Sequence, residues 1–77
     1  MYELRLPKWG LTEEATVLEW LKQPGDALSI GDPILVVETD KAEGDVESPV
    51  DGVLEEICAP VGTTVEVEGR LARISET

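Results

Sequence analysis

The sequence repeats itself once, and this repeat constrains the fold more than any other feature. The segment VLEWLKQP at 17–24 matches VLEEICAP at 53–60, with Val, Leu, Glu and Pro at equivalent positions. With one residue inserted at Val61, the match continues almost to the end of the chain. Upstream, Pro7 and Pro49 each follow a short alternating segment, and the first copy has the longer connection after it. Each half of the chain is therefore predicted to form the same structural unit.

Each half contains four short segments that are rich in Val, Ile and Leu and are separated by Gly, Pro and Asp. No segment has a sustained helical period. The fold class is therefore predicted to be all-β, as a flattened barrel or sandwich of two four-stranded antiparallel sheets with pseudo-two-fold symmetry. With 77 residues, the chain is expected to be a single domain, 1–77. The predicted strands are 2–6, 16–22, 27–30 and 34–39 in the first half and 42–48, 52–58, 64–67 and 71–75 in the second.

Lys41 lies at the joint between the two halves, where a hairpin tip is expected. It is the only Lys or Arg between Lys22 and Arg70, and five carboxylates surround it within residues 36–48. The pseudo-symmetric counterpart of this joint is the chain terminus, so the tip and the termini are expected at opposite ends of the domain. Because lysine is a poor residue for positive φ, a type I turn is expected, with a distortion of the flanking strands that Gly44 could absorb.

Composition excludes several functions. The net charge of -11 repels phosphate backbones, so no nucleic-acid partner is expected. The absence of histidine rules out Ser-His and Cys-His nucleophile pairs and histidine metal sites, and no metal ligand set and no independent catalytic activity are expected. Cys58 is the single cysteine, which favours a reducing, cytoplasmic compartment, and it is expected to be a small buried residue. No apolar run has the length of a signal peptide or a membrane span, so no membrane partner is expected.

The segment ETDKA at 38–42, between two similar β halves, resembles the lipoyl domain of 2-oxo acid dehydrogenase complexes. The resemblance covers essentially the whole chain and includes SPVDGVL at 48–54. The segment PKWGLTEEATV at 7–17 resembles the start of lipoyl domains in dihydrolipoamide acetyltransferases, particularly the acetoin dehydrogenase type. The related biotinyl domain, a biotin carboxyl carrier, is the alternative, but its lysine usually lies between two methionines. Here Asp40 and Ala42 flank the lysine, which favours the lipoyl domain. An unmodified β-sandwich that only binds partners is a third hypothesis.

The resemblance implies that Lys41 carries lipoic acid in amide linkage and acts as a swinging arm for acyl groups and reducing equivalents. It implies four partners: a lipoate attachment enzyme, a thiamine-diphosphate dehydrogenase, an acyltransferase core and a dihydrolipoyl dehydrogenase. The domain itself would be a non-catalytic carrier and a monomer. Asp40 and Ala42 are implied to position the lysine for the attaching enzyme. The residues implied in partner recognition are Glu38, Thr39, Glu43, Trp9, Gly10 and Leu11.

Period-2 alternation adds one inference about the acidic residues. Glu43, Asp45 and Glu47 are predicted to share one face of their strand. Together with Glu38 and Asp40 they would form a negative patch that a basic groove on a partner could bind once Lys41 is acylated. Trp20 is expected to pack on the sheet.

Overall fold

The computed structural model describes residues 1–7 and 13–76 and contains two four-stranded antiparallel sheets. One sheet has the strand order β1-β8-β6-β3 and the other β5-β4-β2-β7. The bounds of the strands are β1 Tyr2–Arg5, β2 Glu14–Trp20, β3 Ala27–Leu28, β4 Pro33–Glu38, β5 Glu43–Glu47, β6 Gly52–Ile57, β7 Thr64–Glu66 and β8 Arg70–Glu76. The predicted fold class is confirmed, and all eight predicted strands are present with bounds that move by no more than two residues.

The two halves of the chain are related by a pseudo-two-fold axis. Exchanging them converts β1, β8, β6 and β3 into β5, β4, β2 and β7, which is the strand order of the second sheet. Hydrogen bonds outside the strand ladders are also related by this two-fold axis. The Gly25 amide donates to the Leu54 carbonyl at 2.7 Å, and its counterpart, the Gly62 amide, donates to the Val17 carbonyl at 2.8 Å. The predicted pseudo-symmetry is therefore confirmed, down to single backbone hydrogen bonds.

The structure corrects the residue equivalences between the halves. Val17 lies opposite Val37 in the β2–β4 ladder, and Leu54 lies opposite Ile74 in the β6–β8 ladder. Val17 therefore corresponds to Leu54. The match of VLEWLKQP with VLEEICAP had paired it with Val53 instead. Val17 and Leu54 are both buried, whereas Val53 is half-buried. A slip of one residue moves every side chain of a strand to the opposite face, so the letter match was wrong by one position and the inserted residue is not needed.

The core lies between the sheets and is aliphatic. Ile34, Leu54, Leu71 and Ile74 are among its fully buried side chains. β-Branched and leucine side chains fill a thin sandwich well because they pack on a pleated surface. Trp20 packs against this core, as predicted. Cys58 does not belong to the core. The prediction that it is buried was wrong: β6 ends at Ile57, and the thiol of residue 58 is exposed although its amide still donates to the Leu71 carbonyl of β8 at 2.8 Å.

The hairpin tip and the termini lie at opposite ends of the domain. The indole Nε1 of Trp20 donates to the Ala59 carbonyl at 2.8 Å and joins the ends of β2 and β6 where the halves meet. From this junction β4 leads away toward residues 39–42, while its counterpart β8 leads away toward Glu76. Positions related by a two-fold axis lie on opposite sides of it, so the two strands end far apart in a molecule with a long dimension of 34 Å. No helix in the described ranges is long and apolar enough to cross a membrane.

Candidate functional site

The lysine singled out by the sequence lies at the tip of the β4–β5 hairpin. Glu38 and Glu43 form the last pair of the ladder, and the four residues 39–42 connect them. The predicted distortion near Gly44 is absent, because the pairing is regular from Leu35 opposite Val46 up to the tip. The register shift of this hairpin lies at the other end of the strands. The tip is therefore the end of a two-stranded ladder that is regularly paired next to the turn.

The backbone of the turn fits the residues that occupy it. The Thr39 amide donates to the Ala42 carbonyl at 2.8 Å and closes the turn. Neither Asp40 nor Lys41 has a positive φ, which confirms the prediction for these two residues. A lysine can therefore occupy the tip without the steric cost of the left-handed region.

The Thr39 side chain makes further hydrogen bonds inside this turn. Its Oγ1 accepts hydrogen bonds from the Lys41 amide at 3.2 Å and the Ala42 amide at 3.1 Å, and it donates to the Ala42 carbonyl at 3.1 Å. The family resemblance implies partner recognition for Thr39, and this role inside the turn was not predicted from the sequence. The signal that could have shown it is the tendency of Ser and Thr hydroxyls to bond to backbone groups two or three residues later.

The Lys41 side chain is exposed and available for chemistry. Among the described residues, no carboxylate oxygen lies within salt-bridge distance of its ammonium group. The arginines differ in this respect: Arg5 and Arg70 each contact Glu3 at 2.9 Å, and Arg73 pairs with Glu56. An amine that projects from a turn without an ion pair can enter another protein's active site without first breaking a local contact.

The outer face of the sheet that carries the tip is acidic. Glu43, Asp45 and Glu47 are exposed while Val46 between them is buried, so the three carboxylates share one face as predicted. None of the four strands of this sheet contains Lys or Arg. In the described part of the chain, no group of three carboxylates or thiols is arranged to hold a metal ion. The other carboxylates on this face are Glu14, Glu19, Glu38 and Glu66.

Most of the sequence-predicted site residues come together around Lys41. Asp40 and Ala42 flank it in the turn, and Glu38 and Glu43 close the ladder beneath it. Thr39 lies within hydrogen-bonding distance of the backbone of the tip. The predicted recognition residues Trp9, Gly10 and Leu11 lie outside the described residues.

A pseudo-symmetric β-sandwich that presents one lysine at an exposed hairpin tip is the architecture of a carrier domain, in which the lysine bears a covalently attached group. The chain belongs to the biotin and lipoyl attachment family, since the family model described as "Biotin-requiring enzyme" matches residues 2–74. The resemblance deduced from the sequence is thereby confirmed.

Individual relatives place the chain on the lipoyl side of this family. The solution structure of the lipoyl domain of the 2-oxoglutarate dehydrogenase complex from Azotobacter vinelandii superposes with a TM-score of 0.78 at 31% identity, covering 99% of this chain and 98% of that one. The dihydrolipoyllysine-residue acetyltransferase component of the acetoin cleaving system from Pseudomonas putida is 44% identical over 99% of this chain and 21% of its own length. The corresponding component of the pyruvate dehydrogenase complex from Mycobacterium bovis is 48% identical over 79% of this chain and 11% of its own length. The chain thus spans 21% and 11% of the length of these two curated relatives, and it is a lipoyl-type carrier domain.

Proposed function

We propose that Lys41 is the attachment site for lipoic acid, held in amide linkage to Nζ. The observation that carries this proposal is the position of Lys41: an exposed amine, without an ion pair to any described residue, at the tip of a regularly paired hairpin in a lipoyl-type domain. The residues around it fit an attached group, because Asp40 and Ala42 on either side are exposed as well. A chain joined to Nζ would extend from the tip without displacing a packed side chain.

When bound, the lipoyl group supplies a dithiolane that takes up an acyl group and electrons at one enzyme and gives them up at others. The domain itself positions the attached group. The β4–β5 and β4–β2 ladders join the tip to the sheet, so the attachment point has a fixed place on the domain. A tethered arm raises the local concentration of the carried group at each partner.

The relatives and the acidic surface support the following partners of the carrier. A thiamine-diphosphate dehydrogenase would load the arm, an acyltransferase core would unload it, and a dihydrolipoyl dehydrogenase would reoxidise it. Amide formation removes the Lys41 charge, so the tip then offers only the carboxylates of Glu38, Asp40 and Glu43 to a partner. The two curated relatives described above belong to acetoin and pyruvate systems, and an acetoin-type complex is the assignment that the segment at 7–17 favours. The monomeric state and the cytoplasmic location stay predictions.

The test is the intact mass of the chain after incubation with a lipoate ligase, ATP and lipoate, followed by peptide mapping. One lipoyl group at Lys41 is expected. Lys41→Arg should abolish the gain, while Lys22→Arg, a matched loss of an amine elsewhere, should leave it intact. A wild-type domain that is folded and gains no mass would contradict the proposal. A gain with biotin ligase and biotin instead would identify a biotin carrier.

A further inference from the structure

The four-residue tip depends on one side chain for its shape. The Lys41 and Ala42 amides point into the turn, and the Thr39 hydroxyl accepts from both, at 3.2 and 3.1 Å. The same hydroxyl donates to the Ala42 carbonyl at 3.1 Å, which also accepts from the Thr39 amide at 2.8 Å. A hydroxyl has one proton to donate and two lone pairs to accept with, so the whole capacity of the Thr39 Oγ1 is used inside the turn.

No other described side chain takes over this role. The hydrogen bonds of the Lys41 and Ala42 amides within the described residues both end on the Thr39 Oγ1. The exposed carboxylate of Asp40 makes no hydrogen bond to the turn from residue 39 to residue 42. Without the hydroxyl, only the bond from the Thr39 amide to the Ala42 carbonyl would close the tip.

We propose that Thr39 is a positioning residue for the modification of Lys41: its hydroxyl holds the turn in the shape that lets an attaching enzyme engage the lysine. This inference deepens the proposed function and rests on it. The turn is exposed, so loss of the hydroxyl leaves the core intact but frees the backbone on both sides of the lysine. An attaching enzyme must then select the correct turn from a mixture of conformations, and the cost appears in the rate of modification.

The experiment compares three variants with the wild-type domain. Thr39→Val keeps the shape and the β-branch but removes the hydroxyl, and Thr39→Ser keeps the hydroxyl. Thr64→Val is the matched control, because it removes a hydroxyl of the same sheet whose hydrogen bond, to the Thr16 Oγ1 at 3.1 Å, does not involve the turn. Each protein is assayed for kcat/KM with lipoate ligase, ATP and lipoate, for thermal unfolding, and for hydrogen exchange of the Lys41 and Ala42 amides.

The expected result is that Thr39→Val alone differs from the wild-type domain. Thr39→Val should lower kcat/KM about tenfold and speed exchange of both amides, which is within the range that the loss of three exposed hydrogen bonds allows. Its unfolding temperature should stay close to that of the wild type. Thr39→Ser and Thr64→Val should both remain within about twofold of wild-type kcat/KM, since neither loses a hydrogen bond of the tip.

Several outcomes would overturn the inference. Equal rates for Thr39→Val and the wild type would show that the hydroxyl does not position the lysine. A Ser variant as slow as the Val variant would assign the effect to the methyl group, and an equally slow Thr64→Val would make it a general effect on the sheet. If the wild type gains no lipoyl group, the proposed function fails separately, and hydrogen exchange in the unmodified Thr39→Val protein still decides whether the hydroxyl holds the turn.

Discussion

Glu68 has a backbone conformation that its side chain does not favour. Its φ is 66°, and it is the one residue other than glycine with positive φ in the described ranges. In the other half its position is held by Gly31, with φ of 91°. The equivalence follows from the hydrogen bonds: the Gly31 amide donates to the Ser48 carbonyl, and the Glu68 amide donates to the Leu6 carbonyl. The same turn thus contains glycine, which adopts positive φ readily, in the first half, and glutamate, which does not, in the second half.

Glu68→Gly is expected to stabilise the domain by about 1 kcal/mol, because glycine adopts the left-handed region without the clash that a Cβ atom makes there. The hydrogen bond from Arg5 to residue 68 uses the backbone carbonyl and is retained. Urea denaturation measures the change. Glu66→Gly, which removes the same charge from strand β7, should destabilise the domain instead. Equal effects of the two substitutions would contradict the explanation by backbone conformation.

Gly52→Ala is expected to destabilise the domain by roughly 2–3 kcal/mol through overpacking. Gly52 is buried at the start of β6, and a Cβ atom built on it would collide with the Ser75 carbonyl of the neighbouring strand β8. Gly25→Ala is the matched substitution, because it meets no atom within 4 Å and has only the strain of its φ of 98° to accommodate. Chemical denaturation should therefore show the larger loss for Gly52→Ala. A larger loss for Gly25→Ala would mean that the two strands can move apart.

Strands β2 and β6 are equivalent in backbone but are anchored differently at their ends. Trp20 at the end of β2 donates to the Ala59 carbonyl at 2.8 Å. Ile57, which takes its place at the end of β6, has no polar group. Among the described residues, the end of β2 is therefore anchored by a side-chain hydrogen bond, whereas Ile57 at the end of β6 contributes apolar packing against the core.

Trp20→Phe is expected to destabilise the domain by about 1–2 kcal/mol, because the ring still packs on the core but the partly buried Ala59 carbonyl loses its donor. Urea denaturation followed by far-UV circular dichroism measures the effect without relying on the indole. Tyr2→Phe provides the comparison, since Tyr2 also packs against the core and its hydroxyl makes no hydrogen bond to a described residue. If both substitutions had the same small effect, the indole hydrogen bond would contribute nothing to the junction.

The sequence predicted the strands well because turn residues and alternation are local signals. It failed at the equivalence of β2 and β6, because the letters VLE begin one residue earlier in β6 than at the structurally equivalent position of β2, and the β-bulges reveal this offset. In β2 the shift falls between Val17 and Glu19, and in β6 it falls between Leu54 and Glu56. The letters VLE occur in both strands, but the bulged residue is Leu18 in one and Glu55 in the other. Matching identical letters therefore paired Val17 with Val53, whose side chains face opposite sides of their sheets. Only the strand pairing reveals this offset of one residue.

The candidate site was predictable to a similar degree. The duplicated pattern located Lys41 at a tip, and alternation placed Glu43 and its strand neighbours on one face. The role of Thr39 was not predictable in the same way, because a hydroxyl next to a turn can face solvent, a partner or the backbone, and only the three-dimensional turn distinguishes these. The prediction that Cys58 is buried was wrong for a related reason: an apolar run does not reveal where its strand ends.

The two faces of the molecule have the same backbone but opposite electrostatic organisation. The sheet with β1 and β8 contains Arg5, Arg70 and Arg73, and each of them pairs with a glutamate. The sheet with the tip contains seven outward carboxylates and no cation in its strands. With a net charge of -11, repulsion within the molecule is concentrated on the side that carries Lys41. The face that carries Lys41 is thus the one where charge repulsion opposes folding.

This asymmetry predicts opposite effects for two charge reversals. Asp45→Lys and Glu56→Lys both change the net charge by the same amount, so any general relief of repulsion is common to them. Asp45 lies between Glu43 and Glu47 on the edge strand, and a lysine there gains two neighbouring carboxylates, which should stabilise the domain by a few tenths of a kcal/mol. Glu56→Lys loses the pair with Arg73 and places two cations together, so it should destabilise the domain.

The measurement is the urea midpoint of each variant at low salt and in about 1 M NaCl, where a screening length of about 3 Å should bring both midpoints back toward the wild type. Shifts of the same sign at low salt, or shifts that persist at high salt, would mean that the local charges around each position do not govern stability.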